Sequence, residues 1–287
     1  MNNEIECMCM QCGISIYLPE DSVIMDSASD TDSKLLDALL ICEQCGGQLR
    51  LMEKKSTKKM IVSANQPCFF PYPGFFYKAY HSDIFVILDT VQFPRGTTWT
   101  TRNRFKNHQG SLWMTVPVRK KGLGLQKINA VRICHDGPWA KKHLESLKNA
   151  YANAPYFKDH LNFLEGLFST KFEKLIDFNL KIIRYLMNLL QINTEIILLS
   201  ELDINAKGDK LLVEMCRRLE ASQFLAQSPA IKYLDADRFT EAGIQLMNVS
   251  PPSPVYPQLW GSFIHNLSAL DLVLNCGSKA HDIMIRN

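Results

Sequence analysis

Proline, glycine and aromatic residues crowd one short stretch of the chain, Asn65-Gln66-Pro67-Cys68-Phe69-Phe70-Pro71-Tyr72-Pro73-Gly74-Phe75-Phe76. No regular element accommodates that composition, whereas the apolar run before it, residues 60–64, predicts a buried strand. A short helix at residues 74–82 and a second buried strand at residues 84–88 follow, with Asp89 at the carboxyl end of that strand. Because open α/β sheets bind ligands beyond the carboxyl ends of their strands, this stiff loop predicts a site. A turn that only packs its aromatic rings is the alternative.

Buried strands and amphipathic helices alternate along the rest of the chain, which predicts an α/β fold. Helices are predicted at residues 138–151, 171–191 and 210–219, with another buried strand at residues 195–199. This order favours a Rossmann-like, partly parallel sheet with a helical C-terminal portion. With 287 residues, of which 46% are hydrophobic, the chain has material for one large domain and a small appendage.

Four of the nine cysteines form two Cys-x-x-Cys knuckles near the N-terminus. The knuckles are Cys9-Met10-Gln11-Cys12-Gly13 and Cys42-Glu43-Gln44-Cys45-Gly46-Gly47, and the glycine after each one allows a tight turn. The pattern predicts one structural Zn²⁺ ion bound by Cys9, Cys12, Cys42 and Cys45. Cys7 is an alternative ligand, and a redox dithiol or a chance pairing remain the other interpretations. A short helix is predicted in the spacer, at residues 33–40.

The N-terminal segment is acidic. Residues 1–49 hold nine acidic residues and one basic residue, so their field repels phosphates and argues against nucleic-acid binding. We predict a zinc-ribbon-like module at residues 1–52 that caps the fold or docks a protein partner, a solvated linker at residues 53–59, and the main α/β domain at residues 60–287. An apolar run of about 18 residues and a hydrophobic signal region are both missing from the sequence, so we expect a cytoplasmic protein with no membrane partner.

A second segment, residues 90–135, is basic, in contrast to the acidic N-terminal segment. Residues 90–135 contain nine arginines and lysines and no acidic residue. A hairpin is predicted here, with strands at residues 98–106 and 111–118, and strand alternation places Arg102, Arg104 and Lys106 on one face. Such a face suits a diphosphate or a carboxylate, because guanidinium groups offer paired donors in fixed geometry. A basic strand that faces solvent or pairs with distant acids is the alternative.

Three further polar residues occur in positions that suggest a role. His143 falls on or beside the apolar stripe of its helix, where it is either a core residue or a general base. Lys207 comes just before the helix at residues 210–219, where free N–H groups favour an anion, although a solvated lysine is the alternative. Asp271 follows Leu270 in an apolar helix, and a carboxylate in such surroundings needs a partner. That partner is an arginine or histidine that Asp271 orients, or a group through which it braces the fold.

Many of these residues belong to motifs that resemble the WbqC-like family. The resemblance runs in order over roughly residues 61–277. It rests on Gln66-Pro67, Phe70-Pro71, Gly74-Phe75-Phe76, Asp83, Asp89, Gln92-Phe93, Trp99, Arg102-Asn103-Arg104, Trp113, Val116-Pro117-Val118, Trp139, Lys142-His143, Ala154-Pro155-Tyr156-Phe157, Lys207-Gly208-Asp209, Tyr233-Leu234-Asp235, Tyr256, Gln258, Leu270-Asp271 and Asn275. The resemblance implies a bacterial protein of surface-polysaccharide (O-antigen) and secondary-metabolite gene clusters, which transfers glycine or a similar acyl group to an amino sugar.

Roles for single residues follow from this resemblance. His143 is expected to remove the proton of the attacking amine, and Gln66, Asp89 and Asp271 to orient groups in the site. Substrate binding is assigned to Arg102, Asn103, Arg104, Lys106, Lys207, Tyr256 and Gln258. Cys68 is an alternative acyl-accepting nucleophile, but no partner base lies beside it in the sequence.

The chain departs from the family pattern in two places that bear on these roles. Residues 224–230 lack the tyrosine and the Ser-Gly pair that the family leads us to expect, which weakens the transfer of substrate contacts to this segment. Asn65 stands where many relatives have a histidine, so His143 is our candidate for any essential base.

The sequence therefore supports two candidate functions. The first is an acyl or aminoacyl transferase whose partners are a phosphorylated or nucleotide-linked amino sugar and an acyl carrier. The second is a non-catalytic adaptor that recognises such a compound and recruits a protein partner through the acidic ribbon. Nucleic-acid binding through the basic hairpin ranks last, because the net charge of the chain is only +3.

Overall fold

The computed structural model describes residues 4–19, 41–51, 59–96 and 98–286. The chain divides into two compact units, Met1–Lys59 and Met60–Asn287. The helix predicted at residues 33–40 and all but the last residue of the predicted linker lie outside the described residues. None of the helices in the described part of the chain has the length and apolarity needed to cross a bilayer.

The first unit contains a small antiparallel sheet of three strands. These are β1 (Glu4–Cys9), β2 (Ser15–Pro19) and β3 (Leu49–Leu51), in the order β2-β1-β3. Its buried residues include Cys7, Cys9, Cys42 and Leu49, so thiols make up much of this apolar centre. A small sheet whose described apolar centre consists largely of thiols is compatible with a small ribbon that depends on a bound metal for stability.

The second unit is built on a five-stranded parallel sheet. Its strands are β4 (Ile61–Asn65), β5 (Ile84–Ile87), β8 (Glu195–Leu198), β9 (Gln223–Gln227) and β10 (Gln245–Val249). Their order is β10-β9-β4-β5-β8, so the chain proceeds outward from β4 in one direction and then returns to continue outward in the other. The predicted α/β class with a Rossmann-like sheet is confirmed, and the sheet is parallel throughout rather than in part.

Helices and a separate hairpin surround this sheet. The remaining strands are β6 (Arg102–Asn107) and β7 (Gly110–Thr115), which pair with each other. The helices are α1 (Pro73–Tyr80), α2 (Trp139–Tyr151), α3 (Phe157–Ser169), α4 (Leu175–Leu189), α5 (Gly208–Arg218), α6 (Ser228–Ile231), α7 (Ala236–Glu241), α8 (Ala269–Cys276) and α9 (Ala280–Ile285). Short 3₁₀ turns occupy Ile128–Ala130, Leu199–Leu202 and Gly277–Lys279.

The two faces of the sheet pack into two different cores. Val62 of β4 and Val86 of β5 belong to one core, which helices α5 and α7 complete. Phe85 and Ile87 of β5 point into the other core, together with residues of α1, α2, α3, α4 and α8. This alternation along β5 explains the continuous apolar run in the sequence, because a parallel sheet is covered on both faces.

Among the predicted boundaries that were wrong, two have a clear local cause. The first hairpin strand begins at Arg102 rather than at residue 98, because the amides of Thr101 and Arg102 both donate to the Thr98 carbonyl and close a turn. Helix α4 begins at Leu175 rather than at residue 171. The segment before it runs alongside residues 131–133, since the Ile133 amide donates to the Glu173 carbonyl and the Leu175 amide donates to the Val131 carbonyl.

Candidate functional site

The four predicted ligand cysteines lie together in the first unit. The sulfur atoms of Cys9, Cys12, Cys42 and Cys45 all lie within 4.8 Å of one another. The Cys9–Cys45 sulfurs are 3.4 Å apart and the Cys12–Cys42 sulfurs 3.7 Å apart. A tetrahedral Zn²⁺ ion with Zn–S bonds of about 2.3 Å requires sulfurs about 3.8 Å apart, so the donor set fits this ion.

Backbone geometry supports this cluster. Gly13 and Gly46 adopt positive φ angles of 73° and 70°, and their amides donate to the carbonyls of Cys9 and Cys42 to close the two knuckles. Backbone N–H groups of Cys12 and Gln11 lower the pKa of the Cys9 thiol to about 6, which favours the thiolate that binds metal. Cys7 lies outside this cluster of four, although it shares the apolar centre of the unit with Cys9 and Cys42.

In the second unit, the proline-rich loop after β4 is held by two buried asparagines. The side-chain amide of Asn179 in α4 donates to the carbonyls of Pro67 and Thr100, both at 2.9 Å. That of Asn103 in β6 donates to the carbonyls of Phe69 at 3.1 Å and Phe70 at 2.6 Å. The loop is therefore a rigid part of the fold. Asn103, predicted as a substrate contact, has its amide engaged by the loop.

Asp89 lies at the carboxyl end of β5 and connects three segments. Only 2% of its surface is exposed. One carboxylate oxygen accepts from the Ser200 amide at 2.9 Å, and the other accepts from the Asn129 side chain at 3.2 Å. These bonds join the segment after β8 and the turn at Ile128–Ala130 to the end of β5. Asp89 therefore holds these two segments in place at this edge of the sheet.

A cleft of about 640 Å³ opens at the same edge, lined by parts of residues 90–92, 125–127 and 199–211. Two exposed cations, Lys127 and Lys207, line it, as does the carboxylate of Asp203. Gly208, the first residue of α5, also lines it, so the free N–H groups of that helix lie at the cleft. The arrangement suits a phosphate, because helix N-termini and lysines both favour anions.

The loop between β4 and α1 meets β9 at the point where the strand order reverses. There the side-chain amide of Gln227 donates to the Tyr72 hydroxyl at 2.8 Å and to the Gly74 carbonyl at 3.0 Å. Gln66 is half-buried beside this point, and its backbone amide bonds the Asn65 side chain. Gln227 thus makes tertiary contacts in the segment where the chain departs from the family pattern.

Lys78 is a buried cation at this point that the sequence analysis missed. Its ammonium donates to the Ala64 carbonyl of β4 at 2.7 Å, and burial lowers its pKa to about 8. Burial raises the pKa of the nearby Cys68 thiol to about 12, so this thiol is not activated as a nucleophile. The signal available in the sequence was a single lysine in an otherwise apolar helix, Pro73–Tyr80.

The predicted row of three cations on the hairpin is divided in the structure. Arg102 and Arg104 lie beside the Trp113 ring, with guanidinium-to-centroid distances of 3.8 Å and 5.8 Å. Lys106 is buried, with 2% of its surface exposed, and its ammonium donates to Gln258 at 3.1 Å and to the Ser262 carbonyl at 2.7 Å. The prediction that all three present one open anion site was therefore wrong, because the segment containing Gln258 and Ser262 engages the Lys106 end of the face.

Asp271 is the centre of a buried polar cluster. Its carboxylate accepts from the hydroxyls of Tyr151 at 2.7 Å and Tyr256 at 2.9 Å, and from the Asn275 side chain at 3.4 Å. Burial raises its pKa, although the tyrosines and Lys106 act in the opposite direction. Asp271, Tyr256, Gln258 and Lys106 were predicted as site residues, and the structure brings them together inside the protein. Of the two roles expected for Asp271, bracing the fold accounts for these contacts.

His143 lies on α2 beside the hairpin. Its Nε2 is 3.0 Å from the carbonyl of Thr115, the residue that pairs with Arg102 across the hairpin. Because a carbonyl only accepts, Nε2 carries the proton and Nδ1 is left as an acceptor. Burial lowers the pKa of His143. The imidazole is therefore neutral near pH 7, as a general base must be. His143 does not belong to the set of described residues that line the cleft.

Comparison with known proteins places the second unit in context. The sequence profile of the WbqC-like protein family matches residues 66–283. An uncharacterized protein of Mycobacterium tuberculosis is 30% identical over 230 residues, which is 79% of this chain and 97% of that protein. No solved structure matches the chain.

Proposed function

Because the chain belongs to the WbqC-like protein family, we propose that it is a biosynthetic transferase that forms an amide. It moves an acyl or aminoacyl group, of the size of glycine, onto the amine of a phosphorylated or nucleotide-linked amino sugar. The amino sugar binds in the cleft at the carboxyl edge of the parallel sheet. An acyl carrier or another activated acyl donor supplies the second substrate.

The cleft is the observation that supports this proposal. Its volume of about 640 Å³ lies within the range of about 300–1,000 Å³ that small-molecule sites occupy. The two lysines and the first turn of α5 provide donors for phosphate oxygens. Asp89 holds the segments that line the cleft, which preorganises it for a ligand.

The chemistry requires a base for the amine. In the proposed step the amine nitrogen attacks the acyl carbonyl carbon, the donor leaves with the bonding electron pair, and the amine proton passes to the base. His143 is our candidate for an amine that extends beyond the cleft toward α2, since its Nδ1 is an available acceptor at neutral pH although the residue does not line the cleft. Gln66, which is half-buried after β4, is assigned to orient the substrate.

The proposal also includes a metal ion bound by the cysteine cluster. We assign one structural Zn²⁺ ion to Cys9, Cys12, Cys42 and Cys45, whose sulfurs lie close together, because four thiolates around Zn²⁺ form a closed site with no position for substrate. When bound, the ion supplies folding free energy to the ribbon.

The test begins with native mass spectrometry of the full chain against a panel of nucleotide sugars. We expect a retained nucleotide sugar whose affinity falls about tenfold in Lys207→Gln, because a charge-assisted hydrogen bond contributes about 1.5–3 kcal/mol. Lys210→Gln is the matched control, since Lys210 is an exposed lysine in the first turn of α5 and does not line the cleft. Equal affinity in the wild type and Lys207→Gln contradicts the assignment of the cleft.

Turnover is tested with His143→Ala in the presence of the retained sugar and activated acyl donors. The matched control is His135→Ala, because His135 also approaches a backbone carbonyl through Nε2, at 2.8 Å, and also contacts Trp139. We expect amide formation to be lost in the first variant and retained in the second. Full activity of His143→Ala refutes the role of this base.

One observation favours the second candidate function, a non-catalytic adaptor. Asp89 and Asp271, two of the residues assigned to catalysis, have their carboxylates engaged within the protein. An adaptor would bind the sugar in the cleft and recruit a protein partner through the acidic N-terminal unit. Deletion of Met1–Lys59 then abolishes partner capture, whereas a transferase retains turnover.

A further inference from the structure

Two exposed tryptophans lie side by side, Trp113 on strand β7 and Trp99 in the turn before strand β6. The side chains of Trp99 and Trp113 are 52% and 45% exposed, which is unusual for residues of this size. Their rings are stacked, with centroids 5.9 Å apart and planes inclined by 28°. We refer to Trp99, Trp113 and Arg102 as the aromatic platform.

The Arg102 side chain contacts the Trp113 ring and has no hydrogen-bonding partner among the described residues. Its guanidinium is 3.8 Å from the centroid of Trp113, and it makes no hydrogen bond or ion pair to any residue that the structure describes. The Nε atom of Arg102 is buried and unpaired within the same described residues, whereas the Arg104 guanidinium donates to the carbonyls of His265 and Asn266. A buried guanidinium N–H without an acceptor costs free energy, and an anion would satisfy it.

A cavity of about 370 Å³ lies against the platform and is lined by Thr98, Trp99, Arg102 and Trp113. This set shares no residue with the lining of the larger cleft. The Thr98 hydroxyl is engaged with Thr100, and no carboxylate or carboxamide lines the cavity in the described part of the chain. The cavity therefore offers flat apolar surface and a cation, but few groups that recognise several hydroxyls.

We propose that the aromatic platform is a nucleotide-binding site, in which the base stacks on the exposed indoles and the phosphate bonds to Arg102. Stacking of a base on an aromatic side chain contributes about 1–3 kcal/mol and does not depend on base identity. Guanidinium groups recognise phosphate oxygens through paired donors.

Two other ligand classes fit less well. A sugar phosphate brings hydroxyl groups for which the cavity has few partners. A single-stranded nucleic acid needs a basic groove for about four or more nucleotides, whereas this cavity is small and has one arginine in its lining. The proposal is independent of the transferase chemistry, because it concerns other residues and is tested by binding alone.

In the experiment, the full chain is titrated with adenosine monophosphate. Binding is measured by calorimetry and by quenching of tryptophan fluorescence. We expect saturable binding that weakens about tenfold or more in Trp99→Ala and in Arg102→Gln. Trp99→Phe keeps an aromatic face and retains most of the affinity. Tyr233→Ala and Lys121→Gln, at an exposed aromatic residue and an exposed cation elsewhere, leave it unchanged.

Four results overturn the proposal. The first is the absence of saturable binding, and the second is equal affinity of the wild type and Trp99→Ala. The third is glucose 1-phosphate or an oligothymidine binding as tightly as or more tightly than the mononucleotide. The fourth is loss of nucleotide affinity in Lys207→Gln with full affinity in Trp99→Ala, which places the nucleotide in the larger cleft. Because the sugar titration with Lys207→Gln is separate, failure at the platform leaves the test of the cleft intact.

Discussion

The hydroxyl of Tyr151 donates a 2.7 Å hydrogen bond to the carboxylate of Asp271, which lies 120 positions further along the chain. The same hydroxyl accepts from the backbone amide of Lys106 at 3.1 Å. One phenol thus joins helix α2, strand β6 and helix α8. Its pKa is raised well above the usual value, chiefly by burial, so it remains a donor at all ordinary pH values.

Substitution Tyr151→Phe removes this junction without opening a large cavity. We expect the free energy of unfolding to fall by about 1–3 kcal/mol, because Asp271 keeps its burial but loses a donor. The measurement is urea unfolding followed by tryptophan fluorescence. All four tryptophans lie in the second unit, so this signal reports that unit. Tyr80→Phe, at an exposed ring, is the control, and a loss of equal size there would contradict the assignment.

The rigidity of the loop after β4 depends on Asn179. In Asn179→Ala the carbonyls of Pro67 and Thr100 lose their shared donor, and each buried carbonyl without a donor costs about 1–3 kcal/mol. We expect a lower urea midpoint and faster hydrogen exchange in residues 66–70. Asn188→Ala, at an exposed position of the same helix, is the matched control. Unchanged exchange in the loop would show that Asn179 does not restrain it.

The buried ammonium of Lys78 predicts a pH dependence of stability. Its pKa falls from 10.5 to about 8 on folding, so below about pH 8 the folded state bears the cost of a buried charge. Between about pH 8 and 10.5 the unfolded chain binds more protons, and the free energy of unfolding rises with pH by about 3 kcal/mol in total. The substitution Lys78→Met removes this rise.

The test compares urea unfolding of the Lys78→Met variant and its parent at several pH values, both in a Cys68→Ala background. That background is needed because burial raises the pKa of Cys68 to about 12, and this thiol contributes the opposite trend above its usual pKa of 9.0. The advantage of Lys78→Met over its parent should shrink as pH rises from 7 to 10. A pH-independent difference would refute the buried charge.

The cysteine cluster predicts one bound zinc per chain. Cys12→Ser and Cys42→Ser each remove one of four thiolates, and we expect the zinc mass increment in native mass spectrometry to disappear. Cys7→Val keeps this buried position apolar and should retain the ion, since Cys7 lies outside the cluster of four. Loss of zinc in Cys7→Val together with its retention in Cys12→Ser would reverse the ligand assignment.

Several features of this protein could be predicted from short stretches of its sequence. The glycine after each Cys-x-x-Cys pair indicates a knuckle, because the positive φ angles of Gly13 and Gly46 favour that residue. The apolar runs before Gln66 and Asp89 indicated two buried strands whose carboxyl ends meet at one edge. The motifs from Gln66 to Asn275 indicated the family that the comparison confirms.

The burial and the hydrogen-bonding partners of the polar side chains could not be predicted in the same way. Arg102, Arg104 and Lys106 share one strand face by alternation, but the face is divided because Gln258, 152 positions beyond Lys106, bonds its ammonium. Lys78 was overlooked because its burial results from packing around helix α1, and the only hydrogen-bonding partner of its ammonium within the described residues is a strand carbonyl.

Spacing and periodicity along the chain thus determine the cysteine knuckles, the buried strands and the class of the fold, since each depends on residues close together in sequence. Whether a cation or carboxylate is open to a ligand depends on which distant segment packs against it. Tertiary packing therefore placed Asp271 and Lys106 inside the protein and left the indoles beside Arg102 exposed. The physical reason is that burial and hydrogen-bond partners are properties of the assembled core, which no single stretch of sequence contains.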